Sequence, residues 1–256
     1  MHSTVTRTLR EQLRQRPVFG PFSKSTDPAF VEAAGLAGFD FVILDLEHGP
    51  NHIANLHNLV RAAVIGGAAP IVRVAEGAEW QIGAALDAGA SGVQIPHVST
   101  AGAATEMVGR AKFGAGGHRG VCRYVRAADY SLADKGTYLA QANETLVIVQ
   151  VEGSEGVANL GEIVAVDGVD VVFVGPYDLS QSLGVPGEVD HPRVVEAVQA
   201  AVREGEQHGV AVGTFTDTGE AARRWADAGV RYVSYRVDVG IFAAACRQAV
   251  RAFRQE

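Results

Sequence analysis

Apolar runs rich in β-branched residues return eight times along this chain, and the segments between them have helical spacing. The runs are VFGPFS (18–23), FVILDLE (41–47), PIVRV (70–74), GVQIPHV (92–98), TLVIVQVE (145–152), VDVVFVGP (169–176), VAVGTFT (210–216) and RYVSYRV (231–237). Runs this apolar read as strands covered on both faces. Connecting segments such as HIANLHNLVRAAVIGG and HPRVVEAVQAAVREGEQHG place apolar residues at helical intervals and stop at glycine. Strands alternating with helices give a parallel sheet. Eight such units in 256 residues fit a closed (β/α)8 TIM barrel, whose usual size is about 250 residues. An open doubly wound sheet is the rival, but the Gly-x-Gly-x-x-Gly turn expected after its first strand is missing. The expected organisation is one barrel domain over 1–256, with a short helix over about 4–16 ended by Pro17 and a long insertion over about 111–143.

Composition narrows the function classes. At 47% hydrophobic and 20% charged residues the chain has the balance of a soluble globular protein, without an apolar segment long enough to span a membrane. The opening MHSTVTRTLREQLRQRP lacks the apolar core of a signal peptide, and Cys122 and Cys246 are too few for a disulfide framework. A cytoplasmic location is the default expectation. A net charge of −7 without a basic, aromatic-interleaved patch argues against a nucleic-acid partner.

The connection from the fourth strand to the fifth, AKFGAGGHRGVCRYVRAADYSLADKGTYLAQAN, exceeds an ordinary linker and carries Arg119, Arg123 and Arg126. It reads either as an elaborated surface loop or as a loop folded over the barrel mouth that brings positive charge to an anionic ligand. Position favours the second reading, because β-to-α loops form the catalytic face.

Charge is costly at the end of a buried strand unless water, a metal or a partner meets it. In a barrel the C-terminal strand ends share one face, which gathers Asp45, Glu47, His48, Arg73, Pro96, His97, Gln150, Glu152, Asp178, Thr214, Thr216, Arg236 and Asp238. Glu152 and Asp178 belong to neighbouring strands and are placed to share a cation. An oxygen-only donor set suits Mg²⁺ or Mn²⁺, with Co²⁺ a further candidate. The bland alternative is that each carboxylate caps the turn behind it. Asp45 and His48 are expected to form an acid–base pair, against the alternative of a helix cap beside a solvated histidine. His52 is expected on an exposed helical turn. Lysine occurs only as Lys24, Lys112 and Lys135, and Lys24 is expected to face solvent. Metal chemistry is therefore favoured over an imine mechanism, which needs a desolvated lysine.

The stretches FDFVILDLEHGP, PIVRV, QIP, GHRGV, the VQVE strand end and GVDVVFVGPYDLS resemble the HpcH/HpaI aldolase family, the metal-dependent class II pyruvate aldolases. The resemblance runs in order from about Gly20 to Asp238. It implies a barrel that assembles as a hexamer and exchanges its last helix between subunits. It also implies Glu152 and Asp178 as metal ligands with Gln150 beside them, and Arg73 on the keto oxygen and developing enolate. Asp45 and His48 would act in proton transfer, and the backbone of Gly175, Pro176 and Asp178 would hold the substrate carboxylate. His97 departs from the usual apolar residue and resembles macrophomate synthase, a relative that starts from oxaloacetate. Tyr235 and Arg236 stand where small residues are more usual, and GPF at 20–22 lacks a tryptophan.

Three functions are consistent with this reading. The first is an aldolase that cleaves or forms 4-hydroxy-2-oxo acids from pyruvate and an aldehyde. The second is an oxaloacetate decarboxylase or carbon–carbon bond former, and the third a barrel that binds an acidic metabolite without turnover.

Overall fold

The computed structural model describes residues 2–255, with side chains described from Leu9 onward. All eight expected strands form: β1 Val18–Ser23, β2 Phe41–Asp45, β3 Ala69–Arg73, β4 Gly92–Ile95, β5 Leu146–Val151, β6 Val171–Val174, β7 Ala211–Thr216 and β8 Tyr232–Val237. Each pairs in parallel with the next, and β8 closes on β1. Helix α1, His2–Gln15, precedes the barrel. Around its outside run α2 Pro28–Leu36, α3 Ile53–Gly66, α4 Trp80–Asp87, α5 Ala101–Ala111, α6 Lys135–Ala142, α7 Ser154–Ala158, α8 Leu160–Val164, α9 Pro176–Ser182, α10 Pro192–His208, α11 Gly219–Asp227 and α12 Asp238–Arg254. No described helix is long and apolar enough to cross a membrane.

The period of two along each strand divides the core. Phe41, Ile43, Ile71, Ile148, Val171, Phe173 and Tyr232 fill the barrel interior, while Val42, Leu44, Val72, Val147, Val149 and Val172 face the helices. Leu9 and Leu13, one helical turn apart on α1, join the interior set and plug the barrel floor. Gly20 is required where β1 meets β2, because a Cβ there would lie 2.1 Å from the Phe41 carbonyl oxygen.

The long insertion is the clearest correction. It begins after α5 and not after β4, so it is an α-to-β connection on the N-terminal face, away from the mouth. Lys112 at its root donates to the carbonyls of Asn143 and Thr145, just before β5. Arg119 pairs with Asp87 at 2.8 Å, and Arg126 donates to the Ala88 carbonyl, both at the far end of α4. Arg123 bonds carbonyls within the insertion itself. Within this chain the three arginines hold the insertion together and carry no charge to the mouth. The segment starts at Ala111, where α5 ends, so it lies one helix beyond the position that a β-to-α loop requires.

Candidate active site

Continuing each inward-facing row past its strand leads into the site. Phe41 and Ile43 are followed by Asp45, and Ala69 and Ile71 by Arg73. Leu146 and Ile148 lead to Gln150 and then Glu152, and Phe173 leads to Gly175. The hydrophobic interior thus ends in a polar layer at the C-terminal face.

Asp45 and Arg73 are register partners on β2 and β3. Asp45 is fully buried and accepts from Arg73 Nε at 2.9 Å and Nη2 at 2.7 Å, a bidentate pair. Glu47 approaches Arg73 Nη1 at 3.1 Å, and the guanidinium lies 4.7 Å from the centre of the Phe22 ring. Burial would raise the Asp45 pKa, but the Arg73 hydrogen bonds and charge, with the amides of Glu47 and His48, bring it below the ordinary value. Glu47 goes the other way: burial raises its pKa, and the nearby Arg73 and His48 only partly offset this.

The expected Asp45–His48 side-chain pair does not form. Asp45 accepts from the His48 backbone amide at 3.3 Å, while the imidazole Nε2 lies 4.0 Å from Glu47 Oε2. The bidentate demand of Arg73 takes both Asp45 oxygens, which leaves Glu47 as the carboxylate beside the imidazole. His48 remains open to the cavity. His52 is exposed as the N-cap of α3.

Across the barrel, Gln94 Nε2 donates to Gln150 Oε1 at 2.7 Å, and Gln150 Nε2 donates to Glu152 Oε2 at 2.5 Å. The other Glu152 oxygen accepts from the His97 backbone amide at 2.9 Å and lies 3.2 Å from His97 Nδ1. Burial is the main cause of a raised Glu152 pKa, and the charge of Asp178 adds to it. Asp178 is exposed at the start of α9. His97 adopts φ 54°, a left-handed conformation uncommon outside glycine, which turns its ring toward the Glu152 carboxylate.

A divalent cation fits these donors. Glu152 is buried in a position that resists its charge, and a second carboxylate stands beside it. A Cβ at Gly175 would come within 2.7 Å of Glu152 Oε2, so glycine keeps that approach open. No group of three His, Cys, Asp or Glu side chains capable of holding a metal occurs among the described residues. The remaining coordination would come from water and ligand oxygens, as suits Mg²⁺ or Mn²⁺.

One cavity of about 400 Å³ opens onto this layer, lined in part by His48, Arg73, Gln150, Gly175, Pro176 and Asp178. Lys24 also lines it and lies 3.8 Å from Asp45 Oδ2, so the expectation that it faces solvent fails. Ion-paired and partly open to water, it is not the desolvated amine that an imine mechanism requires. Thr214 and Thr216 are buried and donate to backbone carbonyls. Asp238 accepts from Ser23, Lys24 and Ser25 and pins the turn after β1. Tyr177 and Asp217 line the cavity as well, and strand-end reading passed over them. Their signal was the same period of two, one step beyond Gly175 and Phe215.

A closed barrel whose C-terminal strand ends carry an arginine–carboxylate pair and a buried carboxylate has the arrangement of a (β/α)8 enzyme. The chain belongs to the HpcH/HpaI aldolase/citrate lyase family, which it matches over residues 19–245, and is a lyase of the aldolase class. It is 34% identical to 2-keto-3-deoxy-L-rhamnonate aldolase of Escherichia coli, an alignment covering 99% of this chain and 96% of that one. A solved HpcH/HpaI aldolase/citrate lyase family protein from Burkholderia cenocepacia J2315 superposes with a TM-score of 0.91 at 35% identity, covering 96% and 99% of the two chains. Macrophomate synthase superposes with a TM-score of 0.83 at 26% identity, covering 98% and 90%.

Proposed function

We propose that the enzyme is a divalent-metal-dependent pyruvate aldolase that cleaves or forms 4-hydroxy-2-oxo acids through an enolate. The observation that carries this reading is the Asp45–Arg73–Glu47 assembly opposite Glu152 and Asp178. Glu152 and Asp178 would hold the cation, Mg²⁺ or Mn²⁺. When bound, it supplies positive charge to the carboxylate and 2-oxo oxygens of a 2-oxo acid.

Arg73 spends one N–H on each of Nε, Nη1 and Nη2 in holding Asp45 and Glu47. One N–H on each Nη remains for the ligand, and these donate to the 2-oxo oxygen as it gains negative charge. The carboxylates fix the fork before substrate arrives, so little reorganisation accompanies reaction. First-turn amides of α9, at Tyr177 and Asp178, have no intrahelical acceptor and receive the substrate carboxylate. Gln150 stays beside Glu152 and the ligand, oriented by Gln94. His48 transfers the proton at the aldehyde-derived hydroxyl, with Glu47 as its neighbouring carboxylate.

The last helix supports the assembly implied by the family likeness. Only Asp238 of α12 is buried, while Val239, Phe242, Val250 and Phe253 are exposed. We propose that α12 packs on a neighbouring subunit in a homohexamer. A second chemical reading follows from His97 beside Glu152: release of carbon dioxide from oxaloacetate leads to the same enolate.

Loss of the pyruvate methyl proton signal in D₂O, followed by NMR, tests the central reading. Exchange is expected with Mn²⁺ or Mg²⁺ and is expected to vanish with chelator or in Glu152→Ala. Folded protein that binds pyruvate without exchange under any of these metals would overturn it.

A further inference from the structure

Gln94 is fully buried on β4, where its register partner on β3 is Arg73. Its neighbours Val93 and Ile95 face the helices, so Gln94 faces the barrel interior. A buried amide opposes folding unless its polar atoms are bonded. Gln94 does not line the cavity, whereas Gln150 does. A ligand in the cavity therefore meets Gln150, with Gln94 behind it.

The hydrogen bonds set the sense of both amides. An ionised Glu152 can only accept, so Gln150 turns Nε2 to Glu152 Oε2 at 2.5 Å. That leaves Gln150 Oε1 in need of a donor, and Gln94 supplies Nε2 at 2.7 Å. The price is Gln94 Oε1, which is buried without a partner. One buried oxygen is satisfied by leaving another unpaired, so the exchange brings no net stability. What it does bring is a Gln150 amide held at both ends. That matters at Glu152, whose other oxygen is held separately, by the His97 amide at 2.9 Å with His97 Nδ1 at 3.2 Å. Among the described residues, Gln150 is the side chain that holds Oε2.

We propose that Gln94 is a positioning residue for the cation: acting through Gln150, it holds the Glu152 carboxylate in place for a divalent ion. Successive hydrogen bonds polarise one another, so the Gln94 bond strengthens the one that reaches the carboxylate. Glu152 keeps lone pairs on both oxygens for the ion. This inference rests on the reading of Glu152 as a cation ligand.

Mn²⁺ alone, titrated and followed by EPR, tests the proposal in wild type, Gln94→Met, Gln150→Met and the double variant. Gln150→Met should weaken Mn²⁺ binding by about tenfold, and Gln94→Met, one bond further out, by about threefold. With Gln150 already replaced, Gln94→Met should add almost nothing, because its route to Glu152 is gone. The thermal midpoint of Gln94→Met should stay near that of wild type, and Gln94→Leu should repeat both results. Unchanged Mn²⁺ affinity in both Gln94 variants, an equal loss with and without Gln150, or a large fall in thermal midpoint overturns the proposal while Glu152 stands as a ligand. Wild-type protein that binds no Mn²⁺, or Glu152→Gln that binds it as tightly as wild type, overturns both.

Discussion

Arg73 shows how much one side chain's setting decides. Its fork is matched on one side by both oxygens of Asp45, a fit that a lysine ammonium cannot reproduce. Arg73→Lys is expected to cut kcat by about 10²–10³-fold, the usual cost of losing a donor to a developing oxyanion, in a pyruvate exchange assay. Gly175 is the second test at this scale. Gly175→Ala puts a Cβ 2.7 Å from Glu152 Oε2 and should weaken Mn²⁺ binding by about tenfold or more, read by EPR titration. Most residues of the polar layer were legible from sequence, because charge at the end of an apolar run is itself a signal. Their pairing was not. Asp45 and His48 are close in sequence, yet Arg73 from the next strand takes the carboxylate, and register alone brings those two together.

At the scale of elements, the strands were legible because most are apolar on both faces, and the observed bounds differ from the apolar runs by no more than three residues at either end. The face on which the insertion lies depends on α5, Ala101–Ala111, which comes between β4 and the insertion and carries the chain back to the N-terminal side before it starts. Lys112 anchors its root with bonds of 2.8 and 2.6 Å to two carbonyls. Burial still dominates and lowers the Lys112 pKa from 10.5 to about 8. Between those values the unfolded chain binds the proton that the folded chain has released, so folding gains stability as pH rises through this window. Wild type should therefore gain stability relative to Lys112→Met from pH 8 to 10.5, measured by urea midpoints. A difference flat across that range would contradict the assignment.

For the whole molecule, closure of the barrel is what turns scattered strand ends into a site. Glu152 and Asp178 on one arc face Asp45 and Arg73 on another, and the cavity between them exists only because β8 returns to β1. The exposed apolar residues of α12 lead to a prediction at this scale. Light scattering should give a mass near six chains, and ending the chain after Asp238 should lower it while retaining the residue that pins Ser23 and Lys24. A monomer in the full-length protein would remove the assembly proposal. The sequence by itself determined the barrel and the face where chemistry gathers, since periods of two and 3.6 residues and the cost of buried charge are local constraints. Only the tertiary structure decided which carboxylate serves Arg73, that Lys24 turns inward, and that the insertion lies on the far face. Those outcomes depend on strand register and helix direction, which place residues distant in sequence within hydrogen-bond range.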